Sequence, residues 1–225
     1  KEDYLRILRF IRFSIEYSNF EIDKETIKAI QINLNGITKL SKERIYDELK
    51  KILKLKNFED ILKNKIFTDI FKLIFPEFKQ IDRVKNFYSI RNSNMQILDT
   101  DNILATLLVD GSNNQEYFSH KYNISNDTKN YLDFCTDNFR EIKKNKNFFK
   151  KDLKKNIFYH GKKKIKSLFL IYIVSKKTFS KKEFLSMLST INNMSIPKFP
   201  ISGNYLLDRG IKNGKTIGIL LHKIE

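Results

Sequence analysis

The chain has 225 residues, a formal net charge of +17 and a single cysteine. One cysteine excludes an intrachain disulfide and a cysteine-based zinc site, and the 7 glycines and 3 prolines are too few to supply many tight β-turns. We therefore expect a mainly helical protein with a substantial hydrophobic core, in a reducing compartment such as the cytoplasm. No stretch approaches the roughly 18 uninterrupted apolar residues of a membrane span, so no membrane association is expected.

The first 55 residues predict three helices joined by short connections. Apolar residues recur at helical spacing along the first segment, at Tyr4, Leu8, Ile11 and Ile15. This spacing indicates an amphipathic helix from residue 2 to about residue 18. Asp23 is expected to cap a second helix that stops at Asn35-Gly36, and Ser41 a third. Tight connections favour antiparallel neighbours, so the three helices predict a compact bundle.

The middle of the chain continues the helical pattern. Residues 58–75 predict one or two helices that end before Pro76. A strongly apolar helix is expected to begin at Asp101 or Asn102 and to run to Val109. Ser125 is expected to cap a further helix. Residues 167–175 (SLFLIYIVS) are about half as long as a membrane span and indicate a buried element.

The composition changes between Lys143 and Lys182, where lysines come in pairs and triplets among Phe and Tyr. One interpretation is a basic surface that faces RNA and offers rings for stacking. The other is a set of solvated lysines on helices whose aromatic residues face the core. The net charge favours a polyanionic partner. However, only eight of the 43 basic residues are Arg and the chain is rich in residues of A/T-rich codons, so biased base composition can supply part of the charge.

Acidic and arginine residues alternate along the first helix. Glu2 and Asp3 lie one turn before Arg6, and Arg9 follows one turn later. At about 100° per residue, Asp3, Arg6 and Arg9 span an arc of about 120°, whereas Arg12 has rotated about 180° from Asp3 and should not share their face. A carboxylate beside a guanidinium can match the Watson–Crick edge of a base. The same spacing also fits an ordinary salt-bridge ladder.

Three blocks in residues 2–53 carry a resemblance to a known family. They are E-D-x-L-R-x-L-R-x-x-R-F, F-E-I-D-x-E-T and S-x-E-R-I-x-x-E-L-x-K-I-L. In this order they resemble the neck of the class II tRNA nucleotidyltransferases (CCA-adding enzymes) and bacterial poly(A) polymerases. Residues 199–221, F-P-I-S-G-N-Y-L-L-D-R-G-I-K-N-G-K-T-I-G-I-L-L, are similar to the tail block of bacterial members, with Lys215 where Pro is usual. Between about 56 and 198 the match is thin.

The resemblance implies an all-α fold with three parts. Residues 1–55 would form the neck with its base-reading helix, residues 56–142 a helical body, and residues 143–225 a basic helical tail.

The resemblance also implies a nucleotide site on the first helix. Asp3 and Arg6 fall on the pair that hydrogen-bonds the base of incoming CTP or ATP in the family, and Glu2 would hold Arg6 in place. Arg9 and Arg12 fall on two further arginines associated with the nucleotide. For Arg12, the helical geometry argues against a shared face.

Contacts with tRNA would come from the bundle, body and tail. Arg44 is expected either to contact the phosphate backbone or to fix the bundle through Glu48. The triplet Lys162, Lys163 and Lys164 is the candidate RNA contact in the basic segment.

The catalytic head of the family precedes the neck and holds Mg²⁺ through two Asp residues for in-line phosphoryl transfer. We expect no catalytic or metal-binding residue in this chain. Asp99-Thr100-Asp101 has the D-x-D spacing of the family's metal-binding Asp pair. However, no strand with a Gly-Ser turn precedes it, and Asp101 is expected to cap a helix. The chain is therefore expected to be the neck, body and tail of a CCA-adding enzyme that transfers CMP and AMP to the tRNA 3′ end, and to be inactive without the head. A poly(A) polymerase and a stand-alone basic RNA-binding domain are the alternatives.

Overall fold

The computed structural model of the chain describes residues 4–17, 20–91, 99–196, 201–211 and 214–224. These residues form α-helices, two short 3₁₀ helices and no strand, which confirms the all-α expectation. The α-helices are α1 Leu5–Glu16, α2 Lys24–Asn33, α3 Lys42–Lys54, α4 Lys65–Ile74, α5 Arg83–Arg91, α6 Thr100–Leu108, α7 Asn114–Tyr122, α8 Asn126–Lys144, α9 Leu153–Val174, α10 Lys181–Asn193, α11 Gly203–Asp208 and α12 Gly214–Ile224. The 3₁₀ helices are Leu34–Lys39 and Phe58–Lys63.

Polar side chains cap the helices where the sequence predicts it. The carboxylate of Asp23 accepts the backbone N–H of Thr26 at 2.7 Å at the start of α2. Ser41 caps α3 and Ser125 caps α8 in the same way. Each cap satisfies a backbone donor that the first helical turn leaves without a partner.

Two sequence predictions about helix limits are corrected, and two helices were not predicted. Asp99, not Asp101 or Asn102, caps α6, because its side chain accepts the N–H of Asn102 at 2.8 Å. Helix α2 ends at Asn33, two residues before the predicted Asn35-Gly36 stop, and Leu34–Lys39 continue through that stop as a 3₁₀ helix. Helices α5 and α7 were not predicted, since neither has a clear apolar stripe along its sequence.

One hydrophobic core runs from Leu5 in α1 to Ile191 in α10. Its centre is aromatic, with a chain of ring contacts that links Phe71, Phe75, Phe78 and Phe118. The expected buried element at 167–175 is the apolar end of α9, and its residues are mostly buried. The proposed boundaries after residues 55 and 142 stay predictions.

Helix α9 is interrupted at Gly161, whose backbone angles are φ 79° and ψ 154°. This conformation is open to glycine and costly for residues with a Cβ. The interruption lies directly before the lysine triplet of residues 162–164, and the buried end of the helix follows that triplet. In the described part of the chain, no helix is long and apolar enough to cross a membrane.

Candidate functional site

Helix α1 is buried along one side and exposed along the other. Its buried residues are Leu5, Ile7, Leu8, Ile11, Ser14 and Ile15. Arg6 and Arg9 are exposed on the opposite side. Glu2 and Asp3, the acidic residues that the sequence assigns to the same site, lie outside the described residues. The described part of the candidate site therefore consists of exposed arginines on a helix whose apolar side is fixed in the core.

A close contact with Gly36 fixes the start of α1. The ring of Tyr4 lies so near Gly36 that a Cβ added there would overlap ring atoms. The Nζ atom of Lys39 lies 5.9 Å from the centre of the same ring, within cation–π range. Because Tyr4 stands between Asp3 and Arg6 in the sequence, this packing positions the end of α1 that carries the predicted base-reading pair.

A cavity of about 370 Å³ lies beside Arg6, between the start of α1 and helix α2. Tyr4 and Ile30 provide apolar lining, and Thr26 and Asn33 provide polar lining. The Thr26 hydroxyl and the Asn33 amide each make an internal hydrogen bond, to Asp23 and to the carbonyl of Ala29. The volume lies in the range of small-molecule sites. A guanidinium, apolar walls and a few polar groups suit a planar heterocycle such as a base.

Arg12 is engaged inside the protein. Its Nε donates to Glu48 Oε1 of α3 at 2.5 Å, and its Nη1 donates to Glu16 at 3.1 Å. The guanidinium also lies 4.1 Å from the ring centre of Phe13. The side chains of Arg12 and Glu48 are only 18% and 2% exposed. The helical repeat predicts that Arg12 lies on a different face of α1 from Arg6, and the pairing of Arg12 with Glu48 agrees with this. A contact between Arg12 and a nucleotide stays a prediction.

Glu48 is a buried carboxylate held by two cations. Burial raises its pKa, but the hydrogen bonds and charges of Arg12 and Lys51 outweigh burial and leave the pKa below its ordinary value. Lys51 Nζ lies 3.2 Å from Glu48 Oε2. Arg44, which the sequence places either on the phosphate backbone or on Glu48, is exposed in the first turn of α3. Either role for Arg44 stays a prediction.

Two exposed aromatic residues lie on the solvent-facing side of α1, and the sequence analysis did not identify them as candidate site residues. Phe13 is 43% exposed and Tyr17 74% exposed. Their rings stack with centres 6.1 Å apart. At about 100° per residue, both lie within about 20° of Arg6 around the helix axis. Aromatic residues four apart on the charged side of an amphipathic helix were the signal that could have identified them.

The candidate RNA contacts on α9 differ in their surroundings. Lys162 donates to the carbonyl of Asn192 at 2.7 Å, and the Nζ atom of Lys164 lies 4.7 Å from the ring centre of Phe134. Lys163 is exposed. Lys162 and Lys164 thus have contacts within the protein, which an RNA phosphate would have to replace or add to. RNA contacts by Lys162, Lys163 and Lys164 stay predictions.

The acidic pair around Thr100 has structural partners. Asp99 caps α6, and Asp101 accepts a 3.4 Å hydrogen bond from the Thr128 hydroxyl. Burial, and then repulsion from Asp99, raise the pKa of Asp101. Within the described residues, no group of three or more His, Cys, Asp or Glu side chains is arranged to hold a metal ion.

Comparison with known proteins finds similarity to RNA-processing enzymes. The model of the family described as "Probable RNA and SrmB- binding site of polymerase A" matches residues 19–81. The mitochondrial CCA tRNA nucleotidyltransferase 1 of Danio rerio is 26% identical over the whole of this chain. The chain is thus similar in sequence to a CCA tRNA nucleotidyltransferase.

Solved structures of CCA-adding enzymes share the fold along nearly the whole chain. A CCA-adding enzyme in complex with CTP superposes with a TM-score of 0.64 at 21% identity, over 99% of this chain and 55% of that enzyme. The Thermotoga maritima CCA-adding enzyme complexed with tRNA superposes with a TM-score of 0.59 at 23% identity, over 99% of this chain and 56% of that enzyme. The chain also covers 51% of the Danio rerio enzyme, so it spans about half the length of these relatives.

Proposed function

We propose that this chain is the tRNA-binding and nucleotide-selecting part of a CCA-adding nucleotidyltransferase. The complete enzyme would transfer CMP and AMP from CTP and ATP to the 3′ end of tRNA and release pyrophosphate. The observation that carries this proposal is the exposed Arg6 beside a base-sized cavity, on a helix held in place by the contact between Tyr4 and Gly36.

Base selection would depend on the first turn of α1. The Arg6 guanidinium would donate hydrogen bonds to acceptors of the base, and the Asp3 carboxylate would accept hydrogen bonds from its donors, so together they would complement the edge of a base. Glu2 would hold Arg6 in position, and Arg9 lies on the same exposed side for contact with the nucleotide. Arg12 would act mainly through its ion pair with Glu48, which holds the orientation of α1 against α3.

Binding of tRNA would use the basic surface of the remaining helices. The support is the net charge of +17, the match of residues 19–81 to an RNA-binding family model, and the shared fold with an enzyme solved with tRNA. Arg44 and Lys163 are exposed candidates for phosphate contacts. Binding of this kind depends steeply on salt, because each phosphate contact releases counterions.

The metal chemistry of the complete enzyme would come from its head domain. Mg²⁺ held there would stabilise charge on the transferring phosphoryl group. We propose that no residue of this chain is a metal ligand, because Asp99 and Asp101 already serve the structure of α6 and its contact with α8. The cytoplasmic location also stays a proposal, since the Danio rerio relative is mitochondrial by name.

A poly(A) polymerase is the second candidate, because the matched family model is named for polymerase A. The two are separated by incubating the complete enzyme and a tRNA that lacks its CCA end with labelled CTP alone, with ATP alone and with both. A CCA-adding enzyme incorporates C from CTP alone and needs both nucleotides to complete the end, whereas a poly(A) polymerase extends with ATP and ignores CTP. The purified chain should incorporate neither, and incorporation by the chain alone would contradict the assignment of catalysis to the head.

A further inference from the structure

A second cavity, of about 500 Å³, lies far along the chain from α1, between the end of α8, the segment that follows it and helices α9 and α10. Four lysines line it, Lys143, Lys146, Lys150 and Lys176, against one acidic residue, Glu183. The lining therefore carries a clear excess of positive charge. The volume is within the range of pockets that hold small molecules.

Two of the four lysines are already engaged. Lys143 donates to the carbonyl of Asp110 at 2.8 Å. Lys176 pairs with Glu183 at 2.7 Å, and this contact joins the end of α9 to α10 at the wall of the cavity. The only acidic side chain of the lining is thus neutralised, and the positive charge of the other lysines remains.

Lys146 and Lys150 supply this free charge. Both are exposed, and neither ammonium group makes a hydrogen bond or an ion pair with another described residue. Exposed Lys144 and Lys151 flank them in the same segment, so the charge extends from the cavity onto the surface. A charge that continues beyond the cavity favours a polymeric anion over a single small one.

The inner wall of the cavity is aromatic. Phe149, Phe169 and Tyr172 line it, and their rings pack on one another with centres 4.9 to 6.1 Å apart. Tyr172 is half-buried, and the ring packing leaves it little freedom to move. Aromatic side chains next to lysines are the elements that bind single-stranded nucleotides, because rings contact bases and ammonium groups contact phosphates.

We propose that this cavity binds a nucleotide unit of the RNA substrate, with its phosphate on Lys146 and Lys150 and its base against the aromatic wall. The proposal rests on the proposed tRNA-binding function and adds a site to it on α8, α9 and α10, away from the base-reading helix. A free nucleotide has the same chemistry, and the experiment below separates the two sources.

The experiment measures binding of the purified chain to fluorescently labelled tRNA that lacks its CCA end, by anisotropy over a range of salt concentrations. The test variant is Lys146→Gln with Lys150→Gln. Its matched control is Lys154→Gln with Lys155→Gln, which removes the same charge from exposed lysines of α9 that do not line the cavity. A third variant, Met187→Trp, fills the cavity without changing the charge. Circular dichroism checks that each variant is folded.

We expect the test variant to bind tRNA about tenfold more weakly than the control pair, and its salt slope to fall by about 1.4 to 1.8, about 0.7 to 0.9 for each lost phosphate contact. Met187→Trp should also weaken binding. Equal binding by the test and control pairs, or unchanged binding by folded Met187→Trp, would overturn the inference while the proposed function stands. Failure of the unmodified chain to bind tRNA would instead contradict the proposed function.

A parallel titration with a fluorescent ATP analogue identifies the source of the nucleotide. We expect the test variant and the unmodified chain to bind the analogue equally. If the test variant binds the ATP analogue more weakly than the unmodified chain but binds tRNA equally well, the cavity is a site for a free nucleotide, and the assignment to RNA is overturned.

Discussion

Arg12 of α1 and Glu48 of α3 form an ion pair at 2.5 Å that is largely shielded from solvent. The pair joins two helices whose apolar sides meet in the core, and it fixes the rotation of α1 about its axis. The orientation of Arg6, about 120° from Arg12 at the helical repeat, is thereby set as well. Two arginines of one motif thus have different surroundings, one paired inside the protein and one exposed beside a cavity.

Arg12→Ala should destabilise the chain by about 3 kcal/mol, because it leaves the buried carboxylate of Glu48 with only Lys51 as a partner. Urea unfolding followed by circular dichroism measures the change. Arg6→Ala is the control on the same helix, and as a surface substitution it should change the free energy of unfolding by less than about 0.5 kcal/mol. Replacement of both partners, Arg12→Met with Glu48→Met, should recover most of the loss. Equal effects of Arg12→Ala and Arg6→Ala would contradict the structural role.

The same ion pair predicts a dependence of stability on pH. The pKa of Glu48 lies below its ordinary value of 4.5 in the folded chain. A carboxylate with a lowered pKa contributes stability above its unfolded pKa, and this contribution is lost as the pH falls through the folded value. The stability difference between the unmodified chain and Glu48→Gln should therefore be constant from pH 7 to about pH 5 and shrink below about pH 4.5. A difference that does not change down to pH 3 would argue against an ionised Glu48.

Gly161→Ala should destabilise the chain by about 1 to 3 kcal/mol, since a Cβ is disfavoured at φ 79° and ψ 154° whatever the space around it. The matched control is Gly218→Ala in α12, where a Cβ meets open space and φ is not positive. Alanine favours helix over glycine by up to about 1 kcal/mol, so the control should be neutral or stabilising. Thermal unfolding of the two variants makes the comparison, and a neutral Gly161→Ala would mean that α9 is continuous in solution.

Gly36→Ala should force the ring of Tyr4 from its position and cost about 1 to 3 kcal/mol. The effect should depend on the ring, because no positive φ constrains Gly36. A double-mutant cycle with Tyr4→Ala tests this dependence. We expect Gly36→Ala to cost little once Tyr4 is alanine. If the two substitutions are additive, Tyr4 does not anchor α1 through this contact.

Local patterns predicted much of the fold because they have local physical causes. Asp23, Ser41 and Ser125 cap helices through hydrogen bonds that span three residues, and such signals are visible in the sequence. The start of α6 was predicted at Asp101 or Asn102, but Asp99 caps the helix. The sequence did not distinguish them because several neighbouring polar residues can serve as caps. Helices α5 and α7 depend on tertiary packing rather than on a clear apolar stripe, so their sequences carried little signal.

The candidate site was predictable only where its contacts lie within one helix. The exposure of Arg6 and the separate orientation of Arg12 follow from the helical repeat. The partner of Arg12 is 36 residues away, and Gly36 is 32 residues from the ring that it accommodates, so neither contact has a signature in the spacing of the sequence. The cavity lined by Lys146 and Lys150 likewise brings together three helices, and only the alternation of lysines and aromatic residues pointed to it.

The most direct test of the base-reading role is nucleotide incorporation by the complete enzyme carrying Arg6→Ala, with tRNA affinity measured on the same preparation. Arg6→Lys is the companion variant, because it keeps the charge and removes the planar fork of donors. We predict that both variants lose turnover and discrimination between CTP, ATP and the other nucleotides, while the dissociation constant for tRNA stays within about twofold of the unmodified enzyme. Unchanged use of CTP and ATP by Arg6→Ala would contradict the role of α1 in base selection and would leave its acidic and arginine residues as a salt-bridge ladder.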